Sequence, residues 1–324
     1  MCKFFFSTLA LILICLAGST TVFSWGFFAH KRINQMAVFT LPPEMIGFYK
    51  KHIDFITEHA VDPDKRRFRS EEEAPRHYID IDHFGLSPFD SMPAKWNKAI
   101  EKYSEDTLQA HGILPWHLER MLNSLTKAFK EQDLNKILHV SAELGHYIAD
   151  AHVPLHTSEN HDGQLTNQKG IHAFWESRIP ELQAGKYNYL VGKVEYLSNP
   201  SEAIWKIIKQ SHAAVDSVLR FEAKLNAEFP ADKKYAIETK GKITLKNYSE
   251  EYTLAYDKLL NGMVERRMRS AIHMVGCFWY TAWVNAGQPD LGSLSASPDA
   301  KNAEKDADQD GKPVLEGRLK GHQE

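Results

Sequence analysis

Two consecutive stretches, residues 113–131 and 134–152, space their apolar side chains three or four positions apart, a period that fits a pair of amphipathic helices. The first stretch carries Leu118, Met121, Leu122, Leu125 and Phe129. The second carries Ile137, Leu138, Val140, Leu144 and Ile148, and Pro154 marks its end. Pro200, followed by Ser201 and Glu202, starts a further helix that runs to about Glu228. Residues 248–286 read as one long helix with Gly287 and Pro289 as stop signals. Strand alternation is scarce, and residues 242–246 are its best and shortest example. The expected fold is therefore all-α, a single mainly helical domain.

The first 24 residues have the make-up of a signal peptide: Lys3 supplies charge, residues 4–18 an apolar run, and Val22 and Ser24 small residues at the cleavage positions. The run is short for a full membrane span, and no later stretch approaches about 20 apolar residues. An exported protein, periplasmic or secreted, beginning at Trp25 and without a stable membrane span is expected. Cleavage would remove Cys2 and Cys15 and leave Cys277 as the single cysteine, so there is no disulfide framework. Residues 25–287 form the expected domain, and about 260 residues suffice for one large core. After Gly287 the chain turns to Ser, Pro, Asp, Lys and Gly, so residues 288–324 read as a disordered tail. Within that tail Asp306, Asp308, Asp310 and Gly311 imitate the start of a calcium loop, but Gly317 stands where a bidentate Glu belongs.

Lys and Arg number 39 against 42 Asp and Glu, so no basic excess drives nonspecific binding to duplex DNA or anionic membranes. The mixed-sign run at residues 64–73 reads as a solvated loop.

Onto this helical frame the chain places residues that suit zinc. His146 and Asp150 lie four apart near the end of a predicted helix, on one face; His156 follows Pro154; and His172 and Glu176 repeat the four-residue spacing. A buried carboxylate is costly unless paired or metal-bound, and two such pairs around one further His point to a metal site. His77 lies in an alternating stretch, residues 76–83, that suits a polar-faced strand or a helix start. Asp62 precedes Pro63, where a turn or helix cap competes with a ligand role, and Asp64 competes with Asp62 for that role. Trp25, once N-terminal, would offer an amine of pKa about 7.7 to 8 as a nitrogen ligand. The remaining histidines, among them His83, His111, His117, His152 and His273, have no second ligand at a telling spacing and read as structural or exposed.

The ordered set Trp25 to His30, Ala60 to Asp62, His77 to Asp80, His146 to Asp150, Pro154 to His156, and His172 to Glu176 resembles the zinc-dependent phospholipase C superfamily, which also holds the fungal single-strand-specific zinc nucleases. The likeness extends from Trp25 to about Ala286. It implies an all-α domain with three zinc ions in a cleft. Asp62, His77, His146 and Asp150 would hold one ion, His156, His172 and Glu176 a second, and Trp25, His30 and Asp150 a third, with Asp150 shared. The spacing from Trp25 to His30 looks like the nucleases. The short loop from His156 to His172, Glu rather than Asp at 176, and the absence of paired cysteines look like the phospholipases.

The resemblance implies a zinc-dependent phosphodiester hydrolase that cleaves phospholipid to diacylglycerol and a phosphorylated head group by zinc-bound hydroxide, with Asp62 orienting or deprotonating the water. The alternatives are a nuclease cutting single-stranded RNA or DNA, and a noncatalytic zinc-stabilised binding module. No protein partner is inferred. Phe27, Phe28, Tyr78, Phe84, Phe174 and Trp175 lie near ligands in sequence and suit either stacking on a substrate or burial in the core.

Overall fold

The helix hairpin read from periodicity is the backbone of the structure, a computed structural model that describes residues 26–240 and 243–294. Leu114–Glu131 and Leu134–Ala151 run antiparallel, joined by Gln132 in the left-handed conformation and by Asp133, whose carboxylate accepts a hydrogen bond from the Lys136 amide at 3.1 Å. Trp25, the leader, the calcium-like run and residues 295–324 of the tail lie outside the described residues. Among the described residues no helix is long and apolar enough to cross a membrane.

Against this hairpin pack the Phe27–Ala37 helix, the Pro200–Glu228 helix and the Met263–Asn285 helix. Asn199 caps the second of these by accepting from the Glu202 amide at 3.2 Å. The core lies where the helices meet. Tyr49 stacks on Trp279 with ring centroids 4.8 Å apart, its hydroxyl meets Ser141 Oγ at 2.8 Å, and the Trp279 indole donates to the Ser141 carbonyl at 3.0 Å. Each buried polar atom in this contact is thus partnered while the rings exclude water.

Gly145 sets how closely the Phe27–Ala37 helix approaches. A Cβ at that position would lie 2.0 Å from Asn34 Oδ1, and only a glycine admits the Asn34 side chain, which donates to the Ala142 carbonyl at 2.9 Å. The same close approach stacks His30 on His146, with ring centroids 3.9 Å apart.

Three stretches depart from the sequence expectation. Residues 248–286 are two helices, Glu250–Leu260 and Met263–Asn285, because Asn261 and Gly262 take φ of 50° and 71°. The strand at Ile243–Tyr248 has a partner, Tyr235–Lys240, which the alternation rule did not pick out, and the two form an antiparallel hairpin. Arg178 holds that hairpin to the domain by donating to the Tyr248 carbonyl at 3.1 Å and to Glu238 Oε2 at 3.0 Å. The run at residues 64–73 is not a solvated loop: Asp62–Arg67 is helical, and Asp64 and Glu73 are buried, because both carboxylates face histidines of the interior.

Candidate metal centre

The end of the Leu134–Ala151 helix projects His146 and Asp150 from one face into the interior, and both are fully buried. Asp150 is the hub. Its Oδ2 lies 3.0 Å from His77 Nδ1 and 3.2 Å from His146 Nε2, while its Oδ1 faces His30 Nε2 at 3.4 Å. One carboxylate thus presents one oxygen to His77 and His146 and the other to His30. Asp64 completes the first group, with Oδ1 at 3.5 Å from His146 Nε2 and 3.7 Å from His77 Nδ1.

His156, in the turn Pro154–Thr157, sits above His77 and is held by it: His156 Nδ1 contacts the His77 carbonyl at 2.6 Å, which turns Nε2 toward Glu176 Oε2 at 3.5 Å. His172 Nε2 meets the same oxygen at 3.0 Å. Glu176 lies in a π-helical turn, Phe174–Arg178, that directly follows the short helix Ile171–Ala173. Such turns recur at functional sites because they redirect a side chain within a helix.

These distances fit metal ligation. Bonds of about 2.0 to 2.1 Å in a tetrahedral shell put neighbouring donor atoms about 3.3 Å apart. Both oxygens of Asp64, Oδ1 of Asp150 and Oε1 of Glu176 are buried and accept no hydrogen bond. Buried carboxylate oxygens without donors are costly, and a cation is the group that relieves them. His30, Asp64 and His146, then His77, His146 and Asp150, then His156, His172 and Glu176, form three buried groups whose donor atoms converge within 4.8 Å.

The charge pattern differs from residue to residue across the cluster. Burial alone would raise the Asp150 carboxyl, but His146 and His156 hold it well below the ordinary carboxylate range. Burial raises Asp64, which has no such surplus of donors, and burial together with the neighbouring His146 pushes His30 well down, keeping it neutral. A neutral imidazole and an ionised carboxylate are the forms that bind metal, and His30 and Asp150 are already in them, whereas burial would lower His146 but Asp150 and Asp64 raise it to about 9, so its ring gives up a proton when an ion binds.

Asp62 is not in this cluster. Its Oδ2 bonds His59 Nδ1 at 2.5 Å, its Oδ1 bonds Lys65 Nζ at 2.8 Å, and its side chain is 25 % exposed. Pro63 and the start of a helix separate the two aspartates by more than half a turn, so only Asp64 faces inward. His30, His77, His146, Asp150, His156, His172 and Glu176 are brought together; Trp25 lies outside the described residues.

A further set of residues, not among the expected ligands, backs the cluster. Glu73 is 1 % exposed and presents Oε1 to His77 Nε2 at 3.4 Å, while Tyr147 and Arg66 contact its carboxylate and Arg76 Nη1 bonds Oε2 at 2.8 Å. Burial would raise the Glu73 carboxyl, but the contact with His77 and the two guanidiniums hold it well below the usual range. It fixes the His77 ring so that Nδ1 points into the cluster, as carboxylates behind metal-bound histidines do. Glu73 and His77 repeat the four-residue spacing of His146 with Asp150 and of His172 with Glu176, a signal present in the sequence.

Of the candidate aromatic platforms, Tyr78, Phe84, Phe174 and Trp175 are buried in the core, and Phe28 is exposed. The chain matches no protein-family model and no curated protein sequence.

Proposed function

We propose that this chain is a zinc-dependent phosphodiester hydrolase of phospholipase C type. The observation that carries the reading is the buried convergence of eight imidazole and carboxylate side chains, with Asp150 turned toward two groups at once. Zinc bound there would supply hydroxide at neutral pH and offset the charge that develops on phosphoryl oxygens.

The protein's own groups then have separate roles. Asp150 and Asp64 present the anionic oxygens, and Asp64, rather than Asp62, stands where a water beside the centre would meet a carboxylate. Glu73 holds His77, the Ala60 carbonyl accepts from His146 Nδ1 at 2.8 Å, and the His77 carbonyl holds His156, so three ligand rings are fixed before any ion arrives. Glu176 and the short loop between His156 and His172 favour lipid. On that loop Leu165 is 72 % exposed, an apolar side chain suited to a lipid surface.

A second reading, a single-strand nuclease, rests on Phe28. It is 38 % exposed two residues before His30, and the Arg32 guanidinium lies 5.7 Å from both its ring and that of Tyr189, an arrangement suited to stacking a base beside a phosphate. The deciding experiment incubates zinc-loaded protein with phospholipid vesicles and with single-stranded RNA and DNA, with and without chelator. Chelator-sensitive release of phosphorylated head groups alone supports the phospholipase, and cleavage of nucleic acid alone supports the nuclease. Zinc that raises thermal stability with no turnover on either would mean a binding module.

A further inference from the structure

The bend between Asp150 and His156 joins two candidate ligands, and its sequence leaves it short of backbone donors. At the end of the Leu134–Ala151 helix the His152 amide meets the Ala149 carbonyl at 2.9 Å, and the Val153 amide meets the Asp150 carbonyl at 2.9 Å. The next amide is missing because residue 154 is proline. The carbonyls of Ala151 and His152 are therefore left over at the helix end, and both residues are fully buried.

Side chains of two other helices meet them. Ser211, fully buried in the Pro200–Glu228 helix, donates from Oγ to the Ala151 carbonyl at 2.5 Å. Arg267, 9 % exposed in the Met263–Asn285 helix, donates from Nε to the His152 carbonyl at 2.8 Å and from Nη2 to Ser211 Oγ. We propose that Arg267 and Ser211 are positioning residues of the metal centre, a role that rests on the zinc reading above: they fix the bend that sets His156 against Asp150.

A plain helix cap does not need an arginine. A neutral donor would satisfy the carbonyl, whereas Arg267 brings a full charge into the interior with no carboxylate within ion-pair distance among the described residues, and burial lowers its pKa to about 10. What the guanidinium adds is a rigid plane. Nε and Nη2 leave it at a fixed angle, so the His152 carbonyl and the Ser211 hydroxyl are held at one separation, and Ser211 passes that constraint to Ala151. The carbonyl dipoles of the helix end favour the cation. Beyond the bend, His212 Nδ1 donates to the Thr157 carbonyl at 2.9 Å, so the far end of the turn is held from the same helix as Ser211. His156 lies two residues past Pro154, and a change in the bend moves its Nε2 relative to Glu176 Oε2, 3.5 Å away.

The test reads metal geometry rather than turnover. The full chain is loaded with Co2+, whose visible absorption reports its ligand geometry, and zinc affinity is measured by chelator competition. The wild type is set beside Arg267→Met, Arg267→Lys, Ser211→Ala and a control, Val275→Ala, a buried residue about two turns along the same helix as Arg267. Arg267→Met should weaken zinc binding about tenfold or more and shift the Co2+ bands. Ser211→Ala should act in the same direction by a smaller factor, and Arg267→Lys, which keeps the charge without the planar fork, should fall between the wild type and Arg267→Met. Val275→Ala should lower the urea midpoint and leave both metal readouts unchanged, so that lost stability alone cannot mimic the effect. Variants with wild-type zinc affinity and the wild-type Co2+ spectrum overturn the positioning role, as does a Val275→Ala protein whose affinity falls in step with its stability. A wild type that binds neither ion overturns the zinc reading and the positioning role with it, so the two failures are distinct. Circular dichroism shows whether Arg267→Met is folded; should it not be, Ser211→Ala decides alone.

Discussion

The Leu134–Ala151 helix and the broken chain between residues 59 and 84 face each other across the buried centre, and each supplies candidate ligands in its own way. On the helix, the 3.6-residue period sets which side chains point inward, so His146 and Asp150 were bound to share a face once the helix formed. Between residues 59 and 84 the backbone changes direction every few residues, through Asp62–Arg67, Ala74–Arg76 and Ile81–Phe84. No period governs there, and tertiary contacts decide which of two near-identical aspartates turns inward. A regular element fixes ligand geometry locally, whereas an irregular one borrows it from what it packs against.

The largest effect is expected on the helical side. Asp150→Asn removes the one carboxylate that faces both His30 and the pair His77 and His146, so hydrolysis should fall below detection and zinc content should drop by at least one ion by elemental analysis. Retained activity would break the shared-ligand account. On the irregular side the two aspartates should behave unequally. Asp64→Asn should lower the initial rate by about a hundredfold or more, since a buried anionic oxygen is lost from the cluster. Asp62→Asn should leave the rate within about threefold and cost about 1 kcal/mol or less in urea unfolding, because it disrupts only the partly exposed contacts with His59 and Lys65.

A smaller effect belongs to the residue that joins the two regions. Glu73→Gln keeps the shape but weakens the hold on His77, and zinc affinity measured by chelator competition should fall about 10- to 100-fold. Saturating zinc should restore most of the rate, an outcome that a collapsed site could not give.

The smallest effect concerns acid stability. His152, just past the helix end, is fully buried, donates from Nδ1 to the Ile148 carbonyl at 2.7 Å, and has its pKa lowered to about 3 by burial and by Arg267. The unfolded chain takes up this proton near pH 6.5 and the folded protein does not, so stability is lost as pH falls from about 6.5 toward 3. Between pH 7 and 5.5 this amounts to about 1 kcal/mol. His152→Gln should shrink the acid-induced loss by that amount in paired urea titrations, with the common metal contribution cancelling between the two proteins; an unchanged loss would assign it elsewhere.

The same contrast explains what was legible in the sequence. The helices Leu114–Glu131, Leu134–Ala151 and Pro200–Glu228 follow their apolar period, proline and cap signals to within a residue or two. The candidate ligands at 146, 150, 172 and 176 were visible because they repeat a helical spacing, and His156 because it stands between the two pairs just after Pro154. The break at Asn261 was hidden by strong apolar patterning on both sides, and the strand Tyr235–Lys240 by a sequence too polar for its alternation to register. Glu73 was hidden, and Asp64 could not be told apart from Asp62, for a different reason. They sit in a run of charges that would be solvated if it stood alone, and they are buried because His77, His146, Arg66 and Arg76 partner them across the fold.

Anomalous diffraction at the zinc edge from zinc-soaked crystals tests the central claim most directly. The account predicts peaks among Asp64, His77, His146 and Asp150, among His156, His172 and Glu176, and beside His30 on the Oδ1 side of Asp150, with Asp62 still paired to Lys65. Absence of peaks in the buried centre, or an ion held by Asp62 with Asp64 turned away, would contradict it.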